Sequence, residues 1–237
     1  WERKGLLIWM SHSCWPSMVW QTYDYFFEPT AAYFGAKKGS APIRIQWNPV
    51  SKNVEVVNNN AGDLSSLKAK AMILSYDGKV LFEKEASLDS KEDTTSPLFP
   101  LSFDIDGITE VYYIKLTLEK DGKTIADNFY WEGKEDGNYR LLRTLPDAKL
   151  SIRTSLSEEN EEYSMKVKVT NTSDTPALMI RLMVKGKKSE ERILPAIYED
   201  NYFSLLGGEE KEVTISFKKE DSHGEKPSLQ VEGFNIK

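Results

Sequence analysis

Cysteine and histidine are nearly missing: the chain has one cysteine, Cys14, and two histidines in 237 residues. A single thiol cannot close an internal disulfide. The set is also too small for a His/Cys metal centre, so no metal and no cofactor is expected. Long apolar runs are missing as well. None reaches the roughly 18 residues of a spanning helix, which removes a helical membrane span. Positive charge is in deficit, with 31 Lys and Arg against 37 Asp and Glu and a net charge of −6. Without a basic stripe, nucleic acid is excluded as a partner. Ser11, Ser13 and Cys14 stand together, but no second His or Asp pattern supports a nucleophilic triad. Leu88 to Pro97 is acidic and polar yet lacks calcium-loop spacing, so it reads as a solvated loop. No leader pattern opens the chain, which starts at Trp1 rather than Met, as expected of a piece of a longer protein.

What is present in excess is aromatic, and it lies at one end. The first 35 residues hold 10 of the 27 aromatics, and four of the six tryptophans fall in the first 20. Gly5-Leu6-Leu7-Ile8-Trp9-Met10 is a continuous apolar run, which suits a strand buried on both faces, although periodicity alone equally allows a buried helix. A polar loop and Trp15-Pro16 follow, the proline pushing Trp15 to extended backbone. Pro29 then opens a predicted helix through Ala31-Ala32-Tyr33-Phe34-Gly35-Ala36, with Lys37 and Lys38 in its last turn and Gly39 as its stop. One strand and one helix cannot cover each other completely, so a larger α/β body is expected around them.

The remaining 200 or so residues read as β throughout. Residues 40–135 alternate at Ile43–Trp47, Val54–Val56, Leu67–Ser75, Val80–Glu83, Tyr112–Glu119 and Thr124–Trp131. Asp77-Gly78 and Asp121-Gly122 are hairpin signals, since both residue types tolerate the positive φ of a type I′ turn. Roughly seven short strands at this spacing suggest an immunoglobulin-like sandwich. Glu132 to Asn138 reads as a linker into residues 136–237, where strands are expected at Ala148–Thr154, Tyr163–Thr170, Leu178–Val184, Lys211–Phe217 and Ser228–Asn235. A local pattern recurs between the halves: Val54-Glu55-Val56-Val57-Asn58, a polar turn and an apolar strand, against Val167-Lys168-Val169-Thr170-Asn171, a polar turn and an apolar strand. The same sandwich used twice is therefore expected. Asn171-Thr172-Ser173 also matches a glycosylation acceptor, with a turn as the competing reading.

Two stretches carry a resemblance. Gly5-x-x-x-Trp9-Met10-x-x-x-x-Trp15-Pro16-Ser17, then Trp20-Gln21-x-x-Asp24-Tyr25 and Pro29-x-x-Ala32-Tyr33-Phe34-Gly35-Ala36-Lys37-Lys38, is similar to the last strand and helix of the TIM barrel of glycoside hydrolase family 2. The branch is that of the β-mannosidases and exo-β-glucosaminidases, which often reads Leu-Asn where this chain has Ser11-His12. Asn201-Tyr202-Phe203-Ser204-Leu205-Leu206-Gly207-Gly208-Glu209 resembles a segment of that family's last domain, with Gly207 where proline is usual.

The resemblance implies a mainly β chain of two immunoglobulin-like sandwiches in tandem, residues 40–135 and 136–237, behind a barrel remnant at 1–39. It implies the accessory region of an exo-acting enzyme that removes a terminal β-linked sugar, mannose- or glucosamine-like, by a retaining two-carboxylate mechanism. Its partners would be the barrel of the same parent chain and, through it, a β-linked oligosaccharide. The catalytic glutamates would lie upstream, leaving no catalytic residue here and no activity in this chain alone. The candidate substrate-binding residues are Trp9, which the resemblance places near the terminal sugar, Trp15 and His12. An indole face matches the C–H face of a pyranose and an imidazole can donate to a hydroxyl, though aromatics in apolar runs also serve as core. Asp24, before the helix, reads as a structural hydrogen-bonding group. A periplasmic or secreted bacterial location is expected. The competing reading is a non-catalytic sandwich module that binds carbohydrate or protein.

Overall fold

The computed structural model describes residues 7–17 and 20–237. The chain is mainly β and carries two immunoglobulin-like domains, with one α-helix among the described residues, near its start. It forms two compact units. One holds Gly39–Asp147 and Asp174–Pro176; the other holds the residues up to Lys38 together with Ala148–Ser173 and Ala177–Lys237.

In the first unit seven strands run in order: β1 (Ile43–Trp47), β2 (Asn53–Asn58), β3 (Leu64–Ser75), β4 (Val80–Ser90), β5 (Thr94–Pro100), β6 (Val111–Lys120) and β7 (Lys123–Gly133). They make a three-stranded sheet β1-β2-β5 and a four-stranded sheet β4-β3-β6-β7. The alternation read from the sequence is the burial seen: Ile114, Leu116 and Leu118 are inaccessible, while Lys115, Thr117 and Glu119 are half-buried. At the β6–β7 turn both Asp121 (φ 52°) and Gly122 (φ 73°) take positive φ, as a type I′ hairpin requires. The β3–β4 turn differs. Only Gly78 is positive there (φ 91°), and the Ser75 amide donates to Lys79 O at 2.9 Å across a wider turn.

One expectation fails in this unit. Leu88–Pro97 is not a solvated loop: β4 runs on to Ser90, and Thr94–Pro100 is β5, paired antiparallel with β2. The turn between them is short, with Asp93 at φ 56°. This strand buries only Phe99, so its sequence carries almost no apolar period, and its main-chain pairing to β2 holds it in place.

Gly133, at the end of β7, has no room for a side chain. A Cβ there would lie 2.7 Å from Glu135 O and 3.1 Å from Asn138 O, both backbone atoms. Gly133→Ala is expected to destabilise this sandwich by about 1–3 kcal/mol through the forced backbone shift. Urea melts of the chain check this, and an unchanged midpoint would show that the turn yields freely.

The second sandwich has seven more strands: β8 (Leu150–Glu159), β9 (Glu162–Asn171), β10 (Ala177–Gly186), β11 (Ile197–Tyr198), β12 (Phe203–Leu205), β13 (Glu210–Lys218) and β14 (Pro227–Glu232). Its sheets are β11-β13-β9-β8 and β12-β10-β14. The recurring sequence pattern has a common structural meaning. Asn58 ends β2 and Asn171 ends β9, at the point where each chain crosses from one sheet to the other, and both are fully buried. Asn58 Oδ1 accepts from the Ala61 amide while its Nδ2 donates to Gly62 O. Asn171 Oδ1 accepts from the Ser173 amide while its Nδ2 donates to Leu205 O. Asn171 is thus a turn-forming residue, and its amide nitrogen is not accessible as a glycosylation acceptor.

The helix forms where expected: α1 spans Ala31–Gly39. It buries Phe34 in the core of the second sandwich, beside Tyr198, Phe203 and Leu205. Lys37 Nζ donates to Glu199 O at 2.7 Å, so a lysine from the last helical turn also fastens α1 to the sandwich. The strand expected over Gly5–Met10 is not seen. Gly5 and Leu6 lie outside the described residues, and among the described residues Leu7–Met10 pair with no strand and carry no strand geometry. Leu7 is 98% and Trp9 86% exposed. A parallel-type strand needs neighbours for its backbone groups and both its faces, and the described residues supply none.

Candidate functional site

The site is built on the loop that joins the exposed apolar end to α1. Ser11 O accepts two hydrogen bonds, from the Tyr23 amide at 2.9 Å and from Thr22 Oγ1 at 3.1 Å, which tie the two ends of the loop together. Thr30 Oγ1 donates to Gln21 O at 2.6 Å and its amide to Thr22 O. Asp24 organises the tip. Its Oδ1 accepts from the amides of Phe26 (2.8 Å) and Glu28 (2.9 Å), a local turn that fixes the direction of the chain before Pro29.

Two arginines of the second sandwich grip this loop. Arg192 Nη1 lies 3.0 Å from Asp24 Oδ2 and also bonds Glu28 Oε2. Arg181, on β10, reaches Glu28 Oε2 at 2.9 Å and Glu232 on β14 at 3.4 Å. Glu28 is buried and holds both guanidiniums. Burial works against the charge on each arginine, and the carboxylates of Glu28, Asp24 and Glu232 more than offset it, holding both above the ordinary guanidinium range. The Arg192 guanidinium sits 4.7 Å over the Phe26 ring, and Arg181 lies 5.9 Å from Tyr202, which in turn packs on Phe34. Beside the network lies an open cleft of about 550 Å³ lined by Phe26, Met183, Lys185, Leu194 and the two arginines.

The segment Asn201–Glu209 is the other half of the clamp. Asn201 Oδ1 accepts from the Leu182 amide (2.8 Å) and Nδ2 donates to Leu182 O (3.0 Å). With Ile180 opposite Phe203 in the β10–β12 ladder, the Asn201 side chain takes the next rung. Tyr198 is buried beneath, its hydroxyl accepting from the Val184 amide; burial pushes that phenol up to about 12.

The candidate sugar contacts fall on this loop but are not all free. Trp9 and Trp15 (68% exposed) stand in solvent, and among the described residues neither stacks on another ring. His12 is half-buried: its Nε2 donates to Tyr25 O at 3.2 Å and its ring stacks on Phe27 at 4.2 Å. Its first role is therefore to stiffen the loop. Asp24 is a structural group, as its place before the helix suggests. Sequence reasoning missed Glu28, Arg181 and Arg192. The available signal was Arg181 itself, a charge set in the apolar run Leu178–Val184. Among the described residues no group of three or more His, Cys, Asp or Glu is placed to hold a metal ion.

Residues 128–236 match the exo-β-D-glucosaminidase Ig-fold domain, and residues 52–134 match the mannosidase Ig/CBM-like domain. The chain carries the two immunoglobulin-like domains of the glycoside hydrolase family 2 exo-β-glucosaminidases and mannosidases. Exo-β-D-glucosaminidases of Streptomyces avermitilis and Hypocrea jecorina are each 27% identical to these domains over 98% of the chain. The crystal structure of the Amycolatopsis orientalis exo-chitosanase CsxA superposes with a TM-score of 0.89 at 25% identity, over 98% of this chain and 30% of that one. A β-D-mannosidase from Dictyoglomus thermophilum shares the fold, with a TM-score of 0.68 at 21% identity. This family 2 domain pair spans 28% of the length of both curated glucosaminidases. No helix of the described residues is long and apolar enough to cross a membrane.

Proposed function

We propose that these domains are the C-terminal accessory region of an exo-acting β-glycoside hydrolase that releases a terminal β-linked glucosamine. In this reading residues 1–39 complete a TIM barrel supplied by the rest of the parent chain, and the first sandwich occupies 40–135 and the second 136–237. The observation that carries it is the exposed aromatic end anchored by a dense ion-pair network: Trp9, Trp15, Trp20 and Phe27 face solvent on a loop that Glu28 and two arginines fix in place. Several large aromatics exposed on one anchored loop mark a contact site. A free-standing binding module has no use for it, which disfavours that alternative. Glucosamine is preferred to mannose because the family match over the second sandwich is to the exo-glucosaminidase domain.

Trp9 and Trp15 would form part of the wall around the terminal sugar, and His12 would hold the loop behind them. Two upstream carboxyl groups, about 5–5.5 Å apart for retention, would do the chemistry. A polymeric substrate cannot enter a cell intact, so the parent would act in the periplasm or outside.

In the full-length parent, Trp9→Ala is expected to lower kcat/KM for a nitrophenyl β-D-glucosaminide about tenfold or more, equivalent to about 1.4 kcal/mol of transition-state stabilisation. The 237-residue chain alone is expected to show no turnover. Turnover by the chain alone, or an unaffected Trp9→Ala enzyme, would overturn the assignment.

A further inference from the structure

We propose that Arg192 and Arg181 are positioning residues for the sugar-facing loop, so that the last sandwich sets the geometry of the site as well as bracing the barrel. The inference rests on the reading of Trp9 given above. It follows from an unbroken chain of contacts. Arg181 and Arg192 share Glu28. Arg192 also holds Asp24, and Asp24 Oδ1 fixes the Phe26 and Glu28 amides. Tyr25 and Phe27, which lie between Asp24 and Glu28, carry His12 by a hydrogen bond and a ring stack. His12 neighbours Ser11, whose carbonyl is held by Tyr23 and Thr22, and Ser11 is two residues from Trp9. Each link fixes a backbone direction, so displacing the guanidiniums changes the loop from its base outward.

Charge alone does not account for the arrangement. One nitrogen of Arg192, Nη1, meets both carboxylates while the guanidinium carbon lies 4.7 Å from the Phe26 ring centroid, so a lysine ammonium could keep the ion pairs but not the delocalised contact with the ring. A sandwich that served only as a brace would need packing, which Phe34 and Tyr202 already supply. The ion pairs act instead on the loop tip.

The test is a double-mutant cycle in the full-length parent, with nitrophenyl β-D-glucosaminide as substrate and glucosamine as competitive ligand. Trp9→Ala, Arg192→Met and the double variant are compared. Arg192→Met is expected to raise KM and the glucosamine inhibition constant about fivefold to tenfold with a smaller change in kcat. The double variant is expected to be little worse than Trp9→Ala alone, because both substitutions remove the same contact. Arg192→Lys should restore only part of the loss. Should Arg192→Met fail to fold, Asp24→Asn enters the same cycle, since it keeps the amide-accepting oxygen and removes only the charge. Additive effects, or a loss confined to melting temperature, overturn the positioning role while leaving the sugar-site reading intact. A Trp9→Ala enzyme with unchanged kinetics overturns both.

Discussion

Glu28→Ala is expected to release the loop and α1 from the second sandwich at a cost of about 3 kcal/mol. The carboxylate is buried and bonds both Arg181 and Arg192. Removing one member of a buried ion cluster leaves the others uncompensated, which typically costs about 3–5 kcal/mol. The lower end applies here because each arginine side chain keeps 27% of its exposure and so some of its hydration. The readout is hydrogen exchange at the amides of Tyr23, Asp24 and Phe27, which are bonded to Ser11 O, Glu28 O and Asp24 O. These protons should exchange on the order of a hundredfold faster, while those of β9 and β13 keep their protection. Glu28→Gln should fall between the wild type and Glu28→Ala. If the three amides keep their protection in Glu28→Ala, the apolar packing of Phe34 alone anchors the segment.

The second large effect is expected at Asn201. Asn201→Ala strips both partners from the Leu182 main chain in a site only 4% exposed. Each buried group left unpaired costs about 1–3 kcal/mol, so a loss of about 3 kcal/mol is expected in urea melts. Asn201→Asp makes a sharper test. A protonated carboxyl can donate to Leu182 O and accept from its amide, which reproduces the native pairing; the ionised form faces a carbonyl oxygen in a dry site. Burial would raise the folded-state pKa above the unfolded value. Stability is then fully present below the unfolded carboxyl pKa and is lost as pH rises through the folded one. Asn201→Asp should therefore match the wild type near pH 4 and fall towards Asn201→Ala at pH 7. A pH-independent Asn201→Asp would mean that solvent reaches the amide.

Much of this was legible in the residues, and the reasons are physical. The β6–β7 hairpin could be read because Asp121-Gly122 supplies the left-handed backbone and Ile114, Leu116 and Leu118 supply the period. The helix could be read from Pro29 and the terminal lysines. The β8–β9 hairpin was harder: its turn uses Asn160 and Glu161, both at positive φ without a glycine, so β8 extends to Glu159 where a stop at Thr154 is expected. β5 was illegible because its side chains face mostly water. The apolar opening segment is a different case. Its composition calls for a strand, but a strand is a property of two chains, and among the described residues Leu7–Met10 have no strand partner; in the proposed parent the barrel would supply one. At the site, the aromatic loop was visible from its tryptophans. Its anchors were not, since no local spacing connects Glu28 to arginines more than 150 positions away.

That separation also bears on how the protein is made. Lys37 waits for Glu199 and Asp24 for Arg192, 162 and 168 positions further on. At ribosomal speeds of about 5–20 residues per second, the interval is on the order of ten seconds or more. Throughout it Phe34 has emerged while its hosts β10 to β13 are still untranslated or in the exit tunnel. The face of α1 that carries Phe34 is thus exposed for that whole interval, and a stop codon a few dozen residues early would leave it without its core for good.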